Sequence, residues 1–391
     1  MALSSPLDQQ KLEFKVNTNL KELAQEHSWA FEVIASPTLQ VHYPSNTIEE
    51  DLLYALQHWG QLLQLPPAQR VKLGREEYFY HLHCAVGEEI AETFRCKIPH
   101  AAVIGLTGLV ITSNLEIVAQ SVNGQKLNAN LNMEKIREKL SQKQFLAGTH
   151  VLLLSHYTLN YAHWLMDCLP KLALLESFNN DLKFIVPDES PDYLIDSLKL
   201  LGIQENQLVR IKEESILVEE LIFCHAAQKS GRPSKTHLLK VRNQLLASFP
   251  NNPNRCSTPK RIYVSRSHSS RRIINEDEIL KILGNYNFET MHCEEMSLIE
   301  QICAFSNAEA ILGPHGAGMY NQIFCNSGAT IIEIYNKEYW HHSSRIISGF
   351  LGHTHWHVFG ENAGEDGQTW VDPIKLDKLL FLALYNKTIQ K

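Results

Sequence analysis

The pattern of apolar and polar positions divides the chain into an uninformative start and two alternating strand–helix runs. Helical periodicity marks Glu49–Leu65, which Pro66-Pro67 closes. Ala101–Thr112 and Leu115–Val122 alternate like a hairpin turning at Ser113-Asn114. From His150–Ser155 a continuous apolar run predicts a buried parallel strand. Asn160 suits a helix N-cap for a helix reaching about Glu176. Strands are then expected at Lys183–Val186, Leu208–Ile211 and Ile216–Cys224. Helices are expected at Pro191–Leu201, stopped by Gly202, and at Thr236–Ser248. The βαβαβ order predicts a parallel sheet with helices on both faces.

Phe249–Lys260 carries three Pro and three Asn and reads as a linker. A second alternation follows. Strands are predicted at Arg261–Ser265, Phe288–Met291, Ala310–Leu312 and Thr330–Tyr335. Helices are predicted at Glu276–Leu283, at Ser297–Phe305 with Ser297 and Glu300 as a capping box, and from Met319 after a Gly313–Gly318 loop. Ile374–Asn386 reads as an amphipathic helix. The expected division is an N-terminal extension (1–100), an acceptor-side α/β domain (101–250), a linker (251–260), a donor-side α/β domain (261–372) and a C-terminal helix (373–391). Two such units would face a cleft, with chemistry at the carboxyl ends of the strands.

With 391 residues, 44% hydrophobic and 20% charged, the composition is that of a folded globular protein. A net charge of −7 argues against bulk affinity for nucleic acid. Eight Cys form no CxxC pair, and their scatter in apolar stretches suggests free thiols in a reducing compartment. The start of the chain lacks a basic, apolar leader, and no run of about 18 apolar residues occurs. The expectation is a cytoplasmic protein without a transmembrane segment, with peripheral association at an inner membrane left open. The sequon Asn386-Lys387-Thr388 reads as accidental in that setting.

Four clusters carry candidate chemistry. Arg255, Lys260, Arg261, Arg266, Arg271 and Arg272, with His268, reverse the sign of the chain between Asn251 and Asn275, where no Asp or Glu intervenes. Arginines bind phosphate in a planar, bidentate manner, although a solvated loop would look the same. Gly313–Gly318 joins a strand to a helix, and Gly316 and Gly318 would let backbone amides approach an anion. Glu333 lies in an apolar strand, where it can accept from sugar hydroxyls or pair structurally. His156, Asn160, His163, Trp164 and Asp167 crowd the fourth segment, with His163 and Asp167 on one helix face. Either can take a proton from a hydroxyl, or the two can form an ion-pair network. A fifth cluster, His341, His342, His353, His355 and His357, lacks the carboxylate or thiolate that would complete a metal site.

The segments NYAHWLMDCLPKL (Asn160–Leu172), RIYVSRSHSSRRIINEDEI (Arg261–Ile279), SLIEQICAFSNAEAILGPHGAGMYNQIF (Ser297–Phe324) and IIEIY (Ile331–Tyr335) together resemble glycosyltransferase family 61, of DUF563 type. Met319-Tyr320 departs from the family's more usual Leu-Thr. The resemblance implies a GT-B fold of two Rossmann-like domains. It implies an inverting, metal-independent enzyme without a cofactor. The donor would be a nucleotide sugar, UDP-linked, such as UDP-GlcNAc or UDP-xylose. By motif position, Arg266 with Arg271 or Arg272 would contact the diphosphate, and His315, Gly316, Ala317, Gly318 and Asn321 would line the same site. Glu333 would lie near the nucleoside. Asp167 or His163 would be the catalytic base, with His156, Asn160 and Trp164 on the acceptor side. The acceptor would be a glycan, a lipid-linked glycan or a protein, and the leaderless start resembles bacterial members acting in polysaccharide biosynthesis. The competing expectations are another nucleotide-sugar enzyme on a similar frame, for which no nicotinamide fingerprint is present, and a binding subunit that has lost catalysis.

Overall fold

The computed structural model describes residues 14–17, 19–54, 57, 82–122, 133–141, 143–212, 215–248, 259–364 and 366–385. The helix read at Glu49–Leu65 is described only in its first turns and at residue 57. Pro66-Pro67, Arg255, Cys256, the sequon and most of the linker lie outside the described residues.

The chain divides into two compact units, 1–38 with 89–248, and 39–88 with 249–391. The chain therefore enters the second unit early, returns to the first, and enters the second again, so residues 39–88 fold apart from their neighbours in the expected 1–100 extension. A two-stranded ribbon pairs β3 (Thr38–His42) with β4 (Val86–Ile90).

The first unit holds β1 (Lys15–Asn17), β2 (Phe31–Ala35), β5 (Thr93–Ile104), β6 (Leu109–Ile111), β7 (Glu116–Val118), β8 (Gln144–Leu152), β9 (Lys183–Pro187), β10 (Leu208–Ile211) and β11 (Ser215–His225). They form a nine-stranded sheet in the order β1-β7-β6-β5-β11-β8-β9-β10, with β2 paired to β5. The strands from β11 to β10 pair in parallel, as do β1 and β7 at the other edge, whereas β11–β5, β5–β6, β6–β7 and β2–β5 are antiparallel. The hairpin read at Ser113-Asn114 is the antiparallel β6–β7 pair, and the parallel arrangement expected from His150 onward is the β11-β8-β9-β10 part, the two joined in one sheet through β5–β11. The links from β5 to β6 and from β6 to β7 are tight turns, far too short for a crossover helix, so their strands must be antiparallel. The first turn also splits the strand expected at Ala101–Thr112, with Gly105 and Gly108 at φ 57° and 70°. A small ribbon, β12 (Ala227–Lys229) with β13 (Arg232–Pro233), follows β11.

The second unit carries β14 (Arg261–Val264), β15 (Glu289–Met291), β16 (Ala310–Pro314), β17 (Thr330–Asn336), β18 (Thr354–Asn362) and β19 (Thr369–Trp370) in the order β15-β14-β16-β17-β18-β19. All pairs are parallel except β18–β19. Counted from β14, the first five strands run 2-1-3-4-5, the doubly wound order that puts its switch point between the first and third strands. The alternation read from Arg261 onward is found, and the Ser297–Glu300 capping box starts the helix Leu298–Ser306. The buried faces of β14, β16, β17 and β18 meet the helices Glu276–Asn285 and Pro373–Tyr385 in one core that includes Leu312, Ile332, Val358 and Leu379.

Cys303 is disulfide-bonded, whereas Cys84, Cys96, Cys168, Cys224, Cys293 and Cys325 carry free thiols. The expectation of free thiols throughout therefore fails at Cys303. Bridging depends on two Cα atoms coming within about 7 Å, which linear spacing does not encode. Disulfides persist in oxidising compartments, so cysteine usage does not assign this chain to a reducing one. Among the described residues no helix is long and apolar enough to cross a membrane.

β14 and β16 approach closely at Gly313, where an added Cβ would lie 2.8 Å from Val264 O and 2.9 Å from Met319 Sδ. Gly313→Ala is expected to destabilise the protein by about 1–3 kcal/mol through overpacking, read as a lower urea midpoint. An unchanged midpoint would contradict this strand spacing.

Candidate functional site

At the carboxyl ends of β14 and β16, the switch point of the second sheet, two sequence-predicted elements meet. Arg266 follows β14, and its Nη1 donates to His315 O at 3.0 Å while Nε donates to Ser269 Oγ at 3.1 Å. Its guanidinium lies against Gly316, where a Cβ would sit 1.6 Å from Nη1. Glycine is required at 316 because any side chain would evict Arg266; the backbone there is extended. Burial pulls the Arg266 pKa down to about 10, and nearby Arg271 adds repulsion, yet the group stays charged at neutral pH. Arg271 stacks on Tyr339 with its guanidinium carbon 4.4 Å from the ring centroid. Among the described residues neither arginine forms an ion pair with a carboxylate. Behind them, Ser265 Oγ and Tyr263 Oη both donate to Glu276 Oε1, at 2.8 and 2.7 Å, and tie the end of β14 to the next helix.

Gly316 opens the 3-10 helix Ala317–Phe324. The first amides of a helix have no intrahelical acceptor, so Ala317 and Gly318 begin it with donors to offer. Gly318 packs on β14, a Cβ there meeting Val264 Cγ1 at 2.7 Å.

His315 Nδ1 lies 2.7 Å from Glu333 Oε1. Glu333 has no exposed surface, and its Oε2 accepts from Tyr335 Oη at 2.8 Å and from His355 Nε2 at 3.2 Å. Ser45 Oγ stands 2.7 Å from Nδ1 of both His355 and His357. One set of tautomers satisfies these contacts. His357 Nδ1–H donates to Ser45, Ser45 O–H donates to His355 Nδ1, and His355 Nε2–H donates to Glu333. Burial pulls both His355 and His357 down, against the opposing pull of Glu333 on His355, so both are neutral at neutral pH. Burial alone would raise Glu333, but His315 and His355 outweigh it and hold the carboxylate well below its usual range. His355 and His357 share one face of β18, and that face serves a carboxylate. His353 precedes the strand, its Nε2 3.2 Å from Gln322 O.

Two predicted residues stand apart. Asn321 is fully buried, its Nδ2 donating to Gln301 Oε1 at 2.7 Å, because the 3-10 helix turns it toward the core. Arg272 is exposed, and its backbone carbonyl pairs with Thr369 N. Ser45, Tyr335, Tyr339 and Ser269 were not singled out in the sequence. Short hydroxyl and aromatic residues carry no spacing signal, and Ser45 reaches the network only through the tertiary fold.

The first unit holds the other cluster. Asn160 caps the segment by accepting from Ala162 N and His163 N at 3.0 and 3.4 Å. The helix expected to run to Glu176 instead changes pitch, from Tyr161–His163 through a π-turn at Trp164–Cys168 to a 3-10 helix at Leu169–Leu174. Such π-turns are frequent at functional sites. His163 Nδ1 lies 2.8 Å from Asp167 Oδ2, which also accepts from Ser230 Oγ at 2.7 Å. Asp167 Oδ1 accepts from Gly231 N at 2.8 Å. Gly231, at φ 77°, turns the β12–β13 ribbon so that its amide faces Asp167. The Asp167 side chain is 3% exposed and that of His163 26%, which leaves His163 as the partner open to a substrate. Tyr157 packs against His163 and His156 packs against Tyr157. Trp164, named on the acceptor side, is fully buried and donates to Ser197 Oγ at 2.9 Å.

Residues 161–332 match the family model Glycosyltransferase 61. The match runs from the His163–Asp167 segment to the residue before Glu333. The chain is also 33% identical over 79 residues, 19% of its own length, to an EGF domain-specific O-linked N-acetylglucosamine transferase of Drosophila melanogaster. That stretch spans 15% of the fly protein. Both matches support a glycosyltransferase.

Replacing Glu333 by Gln leaves His315, Tyr335 and His355 facing an uncharged amide and should cost about 1–3 kcal/mol. Because the native pKa lies below the unfolded one, the native state binds fewer protons and gains stability as pH rises. The gap between wild type and Glu333→Gln should be full above the ordinary carboxylate range and close as pH falls toward the native pKa. Urea midpoints measured across pH check this; a gap independent of pH would contradict an ionised Glu333.

Proposed function

We propose that the chain is an inverting, metal-independent glycosyltransferase that binds the diphosphate of a UDP-linked sugar at Arg266, Arg271 and the Gly316–Gly318 turn. The observation that carries the reading is the pair of arginines at the switch point of the second sheet, which among the described residues have no carboxylate partner. Two cations this close repel each other, and a diphosphate relieves both. The first amides of the 3-10 helix add donors suited to the same anion. His315 completes the set: with Nδ1 committed to Glu333, its Nε2 is the ring nitrogen left for a donor oxygen.

In this reading the leaving diphosphate takes up negative charge as the bond from the anomeric carbon to its oxygen breaks. Arg266, Arg271 and the turn stabilise that charge, an electrostatic contribution usually among the largest in catalysis. His163 accepts the proton of the acceptor hydroxyl through Nε2. Asp167, both of whose oxygens are engaged, fixes the tautomer and stabilises the imidazolium that forms. The choice between His163 and Asp167 left open by sequence is thus proposed in favour of His163, with Asp167 orienting it. A GT-B assignment goes with the proposal, the donor site carried by the second unit and the base by the first. The name of the fly relative makes UDP-N-acetylglucosamine the first donor to test, ahead of UDP-xylose. A glycan, a lipid-linked glycan or a protein remains the acceptor class.

The test is thermal stabilisation by a panel of nucleotides and nucleotide sugars with EDTA present. One UDP-sugar should raise Tm selectively, and Arg266→Ala should abolish the shift. With that donor and a transferable acceptor, Arg266→Ala should lower kcat by about 10²–10³-fold. A UDP-sugar shift retained in Arg266→Ala, or a near-normal rate, would overturn the assignment.

A further inference from the structure

The loop after β14 that carries Arg266 and Arg271 also carries His268, which the proposed chemistry does not use. His268 faces residues that follow β15. Its ring stacks on His292 with centroids 4.8 Å apart and planes 11° from parallel. Its Nδ1 lies 3.2 Å from Glu295 Oε1 and 3.7 Å from Glu294 Oε1. One ligand atom each from His268, His292 and Glu294 fall within 4.8 Å of one another. The His292 ring has no hydrogen-bond partner among the described residues, although its Nδ1 is buried. A buried imidazole nitrogen without a partner is unusual, since such groups are nearly always satisfied.

We propose that His268, His292 and Glu294 bind a divalent transition-metal ion of the zinc class. Two imidazoles and one carboxylate are the ligand set such ions favour, whereas Mg²⁺ and Ca²⁺ prefer oxygen throughout. Bond lengths of about 2.0–2.2 Å require ligand atoms somewhat closer than their present spacing. Side-chain rotation of His268 and Glu294, both more than 40% exposed, supplies that movement. Water completes the coordination, because the site opens to solvent. Glu295 remains beside the His268 ring, where it can orient the imidazole and raise its basicity.

The ion would join the loop after β14 to the 3-10 turn Cys293–Glu295, two segments that lie beyond the last β14–β15 ladder pair, Val264–Met291. The effect is a clasp on the turn in which Ser269 N donates to Arg266 O and Arg266 donates to Ser269 Oγ. Metal binding would therefore restrict Arg266 without entering the donor chemistry. This inference stands on its own residues and does not require the glycosyltransferase reading.

The probe is Co²⁺, followed by visible absorption and displaced by Zn²⁺, on the full-length protein. Wild type should bind one Co²⁺ with a spectrum of imidazole and carboxylate ligation. His268→Ala, an exposed position whose variant should fold, and His292→Gln should each weaken binding by more than the ~10–100-fold that loss of an orienting partner costs. Glu294→Gln should weaken it in the same sense. Hydrogen exchange at amides 267–269 should slow when Zn²⁺ is added to wild type and be unchanged by Zn²⁺ in His268→Ala. Absence of Co²⁺ absorption in wild type, or wild-type Co²⁺ affinity in either histidine variant, would overturn the site. Bound metal with no change in exchange would overturn the clasp.

Discussion

A carboxylate with no exposed surface must be met by donors or it will not stay ionised, and Glu333 sets this condition for the second unit. Three donors converge on it, from His315 at the end of β16, Tyr335 two residues along β17, and His355 on β18. Their protonation is then constrained. His355 must give Nε2–H to Glu333, so its Nδ1 accepts a hydrogen bond from Ser45, and Ser45 accepts one from His357. The chain of donors places Ser45, from an early excursion of the sequence, under the same constraint as residues more than three hundred positions later. At the solvent-facing end of the network, His315 is fixed by one nitrogen and offers the other beside Arg266.

The first unit repeats the logic with a local sequence pair. His163 and Asp167 are one helical turn apart, and Asp167 is held by Ser230 and by the amide of Gly231. In both pairs the carboxylate is buried and fully engaged while the imidazole retains the exposed edge. That division suits a carboxylate that orients and an imidazole that exchanges protons or donates to an anion. The two pairs differ in how they arise: the pair in the first unit is written in i, i+4 spacing, and the pair in the second exists only once β16 and β17 align in register.

This difference explains what could be read from the chain. The order of elements after Arg261, the Asn160 cap and the Ser297–Glu300 box rest on local signals: caps, turn glycines and parallel-strand apolar runs; that Arg266 and Gly316 share a site comes from the family resemblance. The hairpin at Ser113-Asn114 is legible from its turn residues, but the pairing of β5 with β11, which joins the antiparallel strands to the parallel ones in one sheet, has no local signal. Asn321 and Trp164 sit inside recognisable motifs, yet the 3-10 helix and the π-turn point both into cores. Ser45, Ser230 and Gly231 carry no pattern of their own and acquire their roles from contacts distant in sequence. The bond at Cys303 belongs to the same category.

The most direct test of the proposed donor site is ¹⁵N–¹H NMR of the His315 imidazole, assigned by comparison with His315→Gln, with UDP titrated in the presence of EDTA. In the free protein His315 Nδ1 should carry a proton held by Glu333, with a downfield proton signal absent from Glu333→Gln. Saturating UDP should leave Nδ1 protonated and shift Nε2 markedly in wild type, and should produce no such shift in Arg266→Ala. A His315 Nε2 resonance unmoved by UDP that demonstrably binds the protein would contradict a diphosphate site at the β14–β16 switch point.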